Sequence, residues 1–375
     1  MNKTAKIITG IIIVILVVWF GYSYYKKPAG DNEPIKIGVS MPLTGIAAIV
    51  GENEINGIKL AIDEINKDGG IYGRPVQLFI EDDQTEAKQT VSAVQKLISV
   101  DEADVLIGGA WDFLANAAIP IIDAQKKVMI TPSTLPDTIE KNSNFFFATH
   151  SPVSLNESVI TEFLRSVDGD NVAIMSVNNL WGKAHLDTFK KAIVGSGKSL
   201  IKEIIVPQFD NNDIQRELSL IKSLKPDVII TALNFGDSVM FVRKKFELGI
   251  GGDILGDFHV EDGYNQGNIK KEFLSGTKIF VFSDPSNDFI NKYTKVYGKN
   301  PGTYADTAYD AVYVIKEAIE NENGKTDSES IINGMRKIND YQGVSGKIDF
   351  SVNNYPANKM PIIKVFDGNK FIKYE

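Results

Sequence analysis

The residue types most often used in catalysis are scarce and scattered in this sequence. Its histidines, His150, His185 and His259, lie on different predicted segments, and the chain has no cysteine. Neither G-x-S-x-G nor H-E-x-x-H occurs, so no motif indicates a serine nucleophile or a zinc-dependent protease. Nothing assembles a nucleophile, a base and an oxyanion hole. The sequence therefore predicts a protein that is not an enzyme, with no catalytic residues, no cofactor and no metal site.

Two further stretches have the composition of a phosphate or metal site but not its geometry. The segment "GSGKS" at 195–199 lacks the first glycine of a phosphate loop, because Ala192 stands there. It also follows a predicted helix and leads into a strand, which is the reverse of the order that a phosphate loop requires. The consecutive residues Glu81, Asp82 and Asp83 point alternately to opposite faces of a strand. They are interpreted as solvated carboxylates rather than as metal ligands.

Polar and aromatic residues collect instead where the predicted strands end. These strand tips are "MPLTG" at 41–45, "EDDQT" at 81–85, "GAWDF" at 109–113, "TPST" at 131–134, "VNNLWG" at 177–182, "LNFGD" at 233–237 and "GDFHVED" at 256–262. At the carboxyl ends of parallel strands, helix N-termini offer unpaired N–H groups to a ligand. Helix-capping residues such as Asp83, Thr85 and Asp237 account for the polar character of an individual tip. They do not explain the aromatic residues Trp111, Phe113, Trp181, Phe235 and Phe258, so the tips predict a ligand site.

Asp112 stands between Trp111 and Phe113, and this combination suits two kinds of ligand. A carboxylate together with ring faces can replace the hydration that an amine or another cation loses on binding. Stacking on Trp111 or Trp181 equally suits a neutral aromatic molecule or an amide. The residues predict a small ligand that carries a positive charge or a planar group.

Strands and helices alternate along the chain and place these tips at one edge of a sheet. Predicted strands are 35–41, 76–81, 105–109, 128–131, 144–148, 171–177, 200–206, 227–233, 253–256 and 277–282. Predicted helices are 52–67, 85–99, 113–125, 154–167, 183–195, 213–224, 237–248 and 263–273. Strands that are apolar throughout, such as "VLIG", suit a sheet covered by helices on both faces. The alternation predicts an α/β fold with doubly wound parallel sheets.

The order of elements changes after residue 285. Helices are predicted at 287–297, 304–321 and 328–338, followed by a hairpin that turns through Asp367, Gly368 and Asn369. The ten preceding strands exceed a comfortable single open sheet. Divisions near 149 and 283 therefore predict two lobes, in agreement with a length of 375 residues, which exceeds what one hydrophobic core usually holds.

Charge and the N-terminal segment indicate the setting of these lobes. The net charge of −8 is spread along the chain and argues against a nucleic-acid partner. Residues 7–25 carry no charge, and lysines flank them at both ends. As a helix this segment would be about 28 Å long, close to the hydrocarbon thickness of a bilayer. The sequence predicts a single-pass transmembrane anchor, with a cleavable signal peptide as the alternative, and an extracytoplasmic domain after it.

Several segments together resemble the periplasmic branched-chain amino-acid binding proteins, the type I solute-binding proteins of ABC importers. They are "IKIGVSMPLTG" at 35–45, "GIKLAIDEINKDGGIYGRPVQL" at 57–78, "VLIGGAWDFLANAAIPI" at 105–121, "VMITPST" at 128–134, "VNNLWG" at 177–182 and "YADTAYDAVYVIKEAI" at 304–319. The resemblance covers residues 35 to 375. It implies two lobes joined by a three-strand hinge, a ligand held between them, and a membrane permease with its ATPase subunits as partners.

The resemblance also implies positions for the ligand. In such proteins a hydroxyl after the third strand and a threonine after the fourth usually hold the α-carboxylate, and an acid of the second lobe holds the α-ammonium. Here Asp112 follows the third strand, Leu135 occupies the usual threonine place, and Phe258 stands at the place of the acid. The predicted ligand-binding residues are Trp111, Asp112, Phe113, Ser133, Thr134, Trp181, Asn234, Phe258 and Tyr304.

The expected function is that of an extracytoplasmic solute-binding protein that captures an amino acid, amine or amide and delivers it to an ABC importer. The alternative is a membrane-tethered ligand sensor that signals through a partner membrane protein. The expected organisation is a cytoplasmic tip at 1–6, the anchor at 7–25 and a linker at 26–34. The first lobe is expected at 35–149 and 284–345, and the second at 150–283 and 346–375.

Overall fold

The computed structural model describes residues 33–140, 143–207, 212–282 and 284–374. The predicted anchor at 7–25, the tip before it and most of the linker lie outside the described residues. Within the described ranges, no helix has both the length and the apolar character needed to span a bilayer.

The first lobe is built on five parallel strands. They are β1 (Ile35–Met41), β2 (Val76–Asp82), β3 (Val105–Gly108), β4 (Met129–Thr131) and β5 (Phe146–Ala148). The helices that follow the first four strands are α1 (Ala48–Lys67), α2 (Ala87–Ser99), α3 (Asp112–Gln125) and α4 (Asp137–Glu140). The strands lie side by side in the order β2-β1-β3-β4-β5, which is the doubly wound arrangement that the alternation predicted.

The turn after α1 shows why the sequence places glycines there. Ile58, Ile62 and Ile65 are buried, as the helical spacing of apolar residues predicts. Gly70 then adopts a φ of +81°, and its N–H donates to the carbonyl of Ile65 at 2.8 Å. A Cβ at Gly70 would lie 1.9 Å from the carbonyl oxygen of Arg74, so only glycine fits this turn.

The second lobe repeats the same pattern. Its parallel strands are β6 (Asn171–Val177), β7 (Ser199–Val206), β8 (Val228–Ala232), β9 (Asp253–Gly256) and β10 (Lys278–Val281). Its helices are α5 (Asn156–Ser166), α6 (Leu180–Ser196), α7 (Asn212–Leu224), α8 (Phe235–Glu247) and α9 (Phe258–Asn265), with short 3-10 turns at Val153–Leu155 and Lys271–Phe273. The order β7-β6-β8-β9-β10 matches that of the first lobe, strand for strand.

The rest of the chain contributes to both lobes. The elements in chain order are α10 (Asn287–Tyr297), α11 (Ala305–Asn321), α12 (Ser328–Arg336), β11 (Tyr341–Gly343), β12 (Gly346–Ile348), β13 (Ile362–Phe366) and β14 (Phe371–Lys373). Helices α10 to α12 share the apolar core of the first lobe. The predicted terminal hairpin is β13 and β14, which pair antiparallel and extend the second sheet beyond β10. The chain therefore passes between the lobes after β5, after β10 and again before β13.

The sheet of the first lobe is covered on both faces, as its apolar strands predicted. Leu106, Met129 and Phe146 pack in one apolar cluster with residues of α2 and α3. Their neighbours along the strands, Ile107 and Ile130, pack in another cluster with α1, α11 and α12. Alternate residues of a strand point to opposite faces, so each strand contributes to two cores.

Three features of the fold differ from what the sequence predicted. The helix predicted at 263–273 begins at Phe258 and ends at Asn265, because the Asp257 side chain caps it by accepting the N–H of His259. The hairpin formed by β11 and β12 was not predicted, since each of its strands has only three residues. Ile348 and Phe350 pack in the core of the first lobe, which therefore extends beyond residue 345.

Candidate functional site

A small cavity of about 40 Å³ lies between the lobes, at the carboxyl ends of both sheets. Seven of the nine predicted ligand residues line it, namely Trp111, Asp112, Thr134, Trp181, Asn234, Phe258 and Tyr304. Phe113 and Ser133 are not among the lining residues. The ring of Phe113 packs edge-on against Trp111, with the ring centroids 5.9 Å apart. The structure thus brings these seven residues together from six separate chain segments. Five of the segments follow parallel strands, which deliver their tips to one edge.

Aromatic side chains from both lobes form the walls of this cavity. Tyr304 precedes α11 of the first lobe, and Phe258 begins α9 of the second lobe. Their ring centroids are 5.5 Å apart across the cleft, and Trp181 lies 6.4 Å from Phe258. Tyr304 has a φ of +65°, in the left-handed region that bulky residues rarely adopt. A strained backbone at a cleft residue is common where the surrounding structure fixes a functional side chain.

The carboxylate of Asp112 connects the two lobes directly. Its Oδ2 accepts the backbone N–H of Trp181 at 2.8 Å, and its Oδ1 accepts the N–H of Phe113 at 2.6 Å. The residue is only 4% exposed. Burial raises the pKa of Asp112, and the N–H groups of Trp181, Phe113 and Leu180 partly offset that increase. N–H groups of the protein therefore already occupy one acceptor position on each oxygen of the Asp112 carboxylate.

The hydroxyl groups expected to hold a ligand carboxylate are also engaged within the protein. Ser133 donates from Oγ to Oε1 of Glu54 at 2.7 Å, and Thr134 donates from Oγ1 to the carbonyl of Ser151 at 2.6 Å. Glu54 belongs to α1 and is fully buried. Burial raises the pKa of Glu54 to about 8, so the side chain keeps its proton at neutral pH.

Asp257 organises the wall on the side of the second lobe. Its fully buried carboxylate accepts the N–H of Leu233 at 2.9 Å and the N–H of His259 at 2.8 Å, and Nδ1 of His259 lies 3.0 Å from it. Burial opposes a charge on His259, but the carboxylates of Asp257 and Asp262 outweigh that effect and raise its pKa.

The other two histidines, His150 and His185, are uncharged. Burial lowers the pKa of His150 to about 3 and that of His185 to about 4, so both rings are neutral. In the part of the chain that the structure describes, no group of three or more acidic or histidine side chains could hold a metal ion.

Asn234 contributes a hydrogen-bond donor that the described residues do not use. Its side-chain Nδ2 is buried and has no partner among them. Asn234 lines both the central cavity and the apolar space at the mouth of the cleft, where Ile46, Ile49 and Phe235 lie. A buried donor without an acceptor is costly, so this amide suits a ligand oxygen.

The remaining lining residues were not predicted. They are Val50, Ala110, Leu135, Asn179 and His259. Ala110, Asn179 and His259 lie within the strand tips and Leu135 directly follows one. A prediction that included each whole tip and the residue after it would have found all four. Val50 belongs to the first turn of α1, where its sequence context carries no signal for ligand contact.

Known relatives agree with this architecture. Residues 34–370 match the family model described as periplasmic binding protein. The Leu/Ile/Val-binding protein BraC3 of Rhizobium johnstonii is 28% identical over 332 residues, which cover 85% of this chain and 88% of that protein. A leucine-, isoleucine-, valine-, threonine- and alanine-binding protein of Pseudomonas aeruginosa is 24% identical over 338 residues, covering 88% of each chain.

Solved structures show the same fold. The branched-chain amino-acid transporter substrate-binding protein LivJ of Streptococcus pneumoniae, in complex with isoleucine, has a TM-score of 0.82 at 21% identity and covers 91% of this chain and all of that chain. A solute-binding protein of Rhodopseudomonas palustris in complex with 3,4-dihydroxybenzoic acid has a TM-score of 0.80 at 24% identity, covering 92% and 97%. The chain therefore belongs to the periplasmic binding protein family and is a solute-binding protein rather than an enzyme.

Proposed function

We propose that this protein is an extracytoplasmic solute-binding protein that captures a small ligand between two closing lobes and delivers it to an ABC importer. The observation that carries the proposal is the cleft itself, in which both lobes contribute side chains and Asp112 accepts the N–H of Trp181 across the gap. Closure of two lobes about connecting segments is a hinge motion, and a ligand that contacts both lobes favours the closed state.

The side chains of the cleft favour a planar ligand with a hydrogen-bond acceptor. The faces and edges of Trp111, Trp181 and Phe258 supply aromatic contact, and Asn234 supplies an unused donor. Isoleucine and an aromatic acid are both named as ligands of solved relatives, so the fold alone does not select the ligand. Of the ligands considered from the sequence, an aromatic molecule or an amide fits these residues better than a charged amine.

Titration calorimetry of the full-length chain tests this function. The panel is benzamide, leucinamide, leucine and tyramine, with the wild type compared with Trp181→Ala. We expect a planar or amide compound to bind and Trp181→Ala to weaken that binding at least about tenfold, since a buried aromatic contact is lost. Phe246→Ala is the control, because Phe246 is aromatic but 52% exposed and lies on α8 away from the cavity lining. Binding that Trp181→Ala leaves unchanged would contradict a site in this cleft.

Delivery to an importer needs a separate measurement, because a sensor would bind the same ligand. We propose that residues 7–25 tether the protein to the membrane beside a permease and its ATPase subunits. Uptake of a radiolabelled ligand into cells with and without the gene distinguishes the two roles. An importer component is required for uptake, whereas a sensor that signals through a partner membrane protein leaves the uptake rate unchanged.

A further inference from the structure

The N-termini of two helices from different lobes meet at one carboxylate. Helix α3 of the first lobe begins at Asp112, and α6 of the second lobe begins at Leu180. The N–H groups of Phe113 and Trp181 both donate to the Asp112 side chain, at 2.6 and 2.8 Å. Unpaired N–H groups and the helix dipole make such a position attractive to an anion. Here the protein supplies that anion from its own sequence.

The neighbouring donors at this end of the cleft are already engaged. The N–H of Gly182 donates to the Asn179 side chain at 2.7 Å, and the N–H of Lys183 donates to the Asn179 carbonyl at 3.0 Å. The hydroxyls of Ser133 and Thr134 donate to Glu54 and to Ser151. A ligand carboxylate placed here would find these N–H and hydroxyl donors already bonded to acceptors of the protein.

The carboxylate of such a ligand would also lie close to the carboxylate of Asp112, which carries the same charge when it is ionised. Asp112 is 4% exposed, so water screens its carboxylate poorly inside the closed cleft. Two ionised carboxylates that share a buried site repel each other, and one of them has to take up a proton. An amide carbonyl or an uncharged ring carries no such cost.

We propose that Asp112 is a specificity-determining residue, whose carboxylate takes the place of a ligand anion between the two helices. The cleft therefore selects ligands that carry no carboxylate at this end. This inference rests on the proposed function, because it assigns a ligand class to the same cleft. The side-chain Nδ2 of Asn234 remains available to donate a hydrogen bond to an uncharged acceptor on the ligand.

The first test compares ligand pairs in which an uncharged amide replaces the carboxylate. Binding of leucine against leucinamide and of benzoate against benzamide is measured with full-length wild type, Asp112→Ala and Asp112→Asn. The wild type is expected to prefer the amide member at least about tenfold, and Asp112→Ala to shift the preference at least about tenfold towards the carboxylate. Asp112→Asn keeps the size of the side chain, removes the charge and shifts the preference in the same direction. A preference that neither variant changes would overturn the proposal.

The second test needs no knowledge of the ligand, because formate itself is the probe. In Asp112→Ala, formate is expected to occupy the position of the lost carboxylate and raise the melting temperature in a saturable manner. It is also expected to change tryptophan fluorescence, since Trp111 neighbours residue 112 in sequence and Trp181 donates to it. Formamide, which is uncharged, serves as the probe control.

Wild type and Asp327→Ala are the protein controls for the formate experiment. Asp327 caps α12 in the first lobe by accepting the N–H of Ser330 at 3.0 Å, and it does not line the cleft. Neither protein is expected to respond to formate beyond its response to formamide. A folded Asp112→Ala that ignores formate would refute the role of Asp112. A formate response without binding of any panel compound would support Asp112 and count against the proposed function.

Discussion

Asp112 and Asp257 are buried carboxylates at helix N-termini, one in each lobe, but their partners differ. Asp257 bonds to Leu233 and His259, which belong to its own lobe. Asp112 bonds to Phe113 in its own lobe and to Trp181 in the other. The bonds of Asp257 therefore lie within one lobe, whereas one of the two N–H groups that Asp112 accepts comes from the other lobe. We therefore expect Asp257 to contribute mainly to folding, and Asp112 to the closure and selectivity proposed above.

Glu54 is a third buried carboxyl group to compare with Asp112 and Asp257. Its substitution is expected to have the largest effect on stability. It is a fully buried acid whose Oε1 accepts the Ser133 hydroxyl, while Oε2 has no partner among the described residues. Burial raises the pKa of Glu54 from 4.5 to about 8. The folded protein then keeps a proton that the unfolded chain releases, so stability is greatest below about pH 4.5 and falls as pH rises towards 8.

Glu54→Gln is expected to remove this dependence and to raise the free energy of unfolding at pH 8 by about 4 kcal/mol relative to wild type, with little difference near pH 5. Urea unfolding of both proteins from pH 5 to 8 measures it. Asp83, which was expected to be solvated, is fully buried, and burial raises its pKa to about 6, so it contributes its own slope to both proteins. The control is Glu52→Gln on the same helix, since Glu52 is 57% exposed. Equal slopes for wild type and Glu54→Gln would show that Glu54 is ionised at neutral pH.

Asp257→Ala is expected to have the next largest effect. It leaves the N–H of Leu233 without its acceptor inside the second lobe and removes the charge beside His259. We expect a loss of about 3 kcal/mol in the free energy of unfolding, measured by urea denaturation at pH 7. Asp187→Ala, an exposed carboxylate on α6, is the matched control. A change below about 1 kcal/mol for Asp257→Ala would break the distinction between the two carboxylates.

Asp112→Ala is expected to have the smallest effect on stability. When the lobes separate, water can reach the N–H groups that Asp112 leaves behind, so the cost is limited to a carboxylate in a first helical turn, about 1 kcal/mol or less. The same urea measurement gives the value. A loss as large as that of Asp257→Ala would mean that Asp112 supports folding and would remove the contrast.

Much of the fold followed from local patterns. Strand and helix alternate with apolar periodicity, and Gly70 ends a turn that no other residue fits. The parallel order of strands then forces the tips to one edge, so Trp111, Trp181 and Phe258 could be predicted from their positions to lie together, and they line the cavity between the lobes. The sequence therefore determined the architecture and the aromatic lining of this cavity.

Tertiary structure decided which polar groups remain for a ligand. Asp112 and Trp181 are 69 residues apart, and Ser133 and Glu54 are 79 apart, so no periodicity records that these pairs bond. A free and an engaged carboxylate look identical in sequence, because the difference lies in burial and in the partner that folding brings near. For that reason the bond between Asp112 and Trp181 could not be predicted from the sequence.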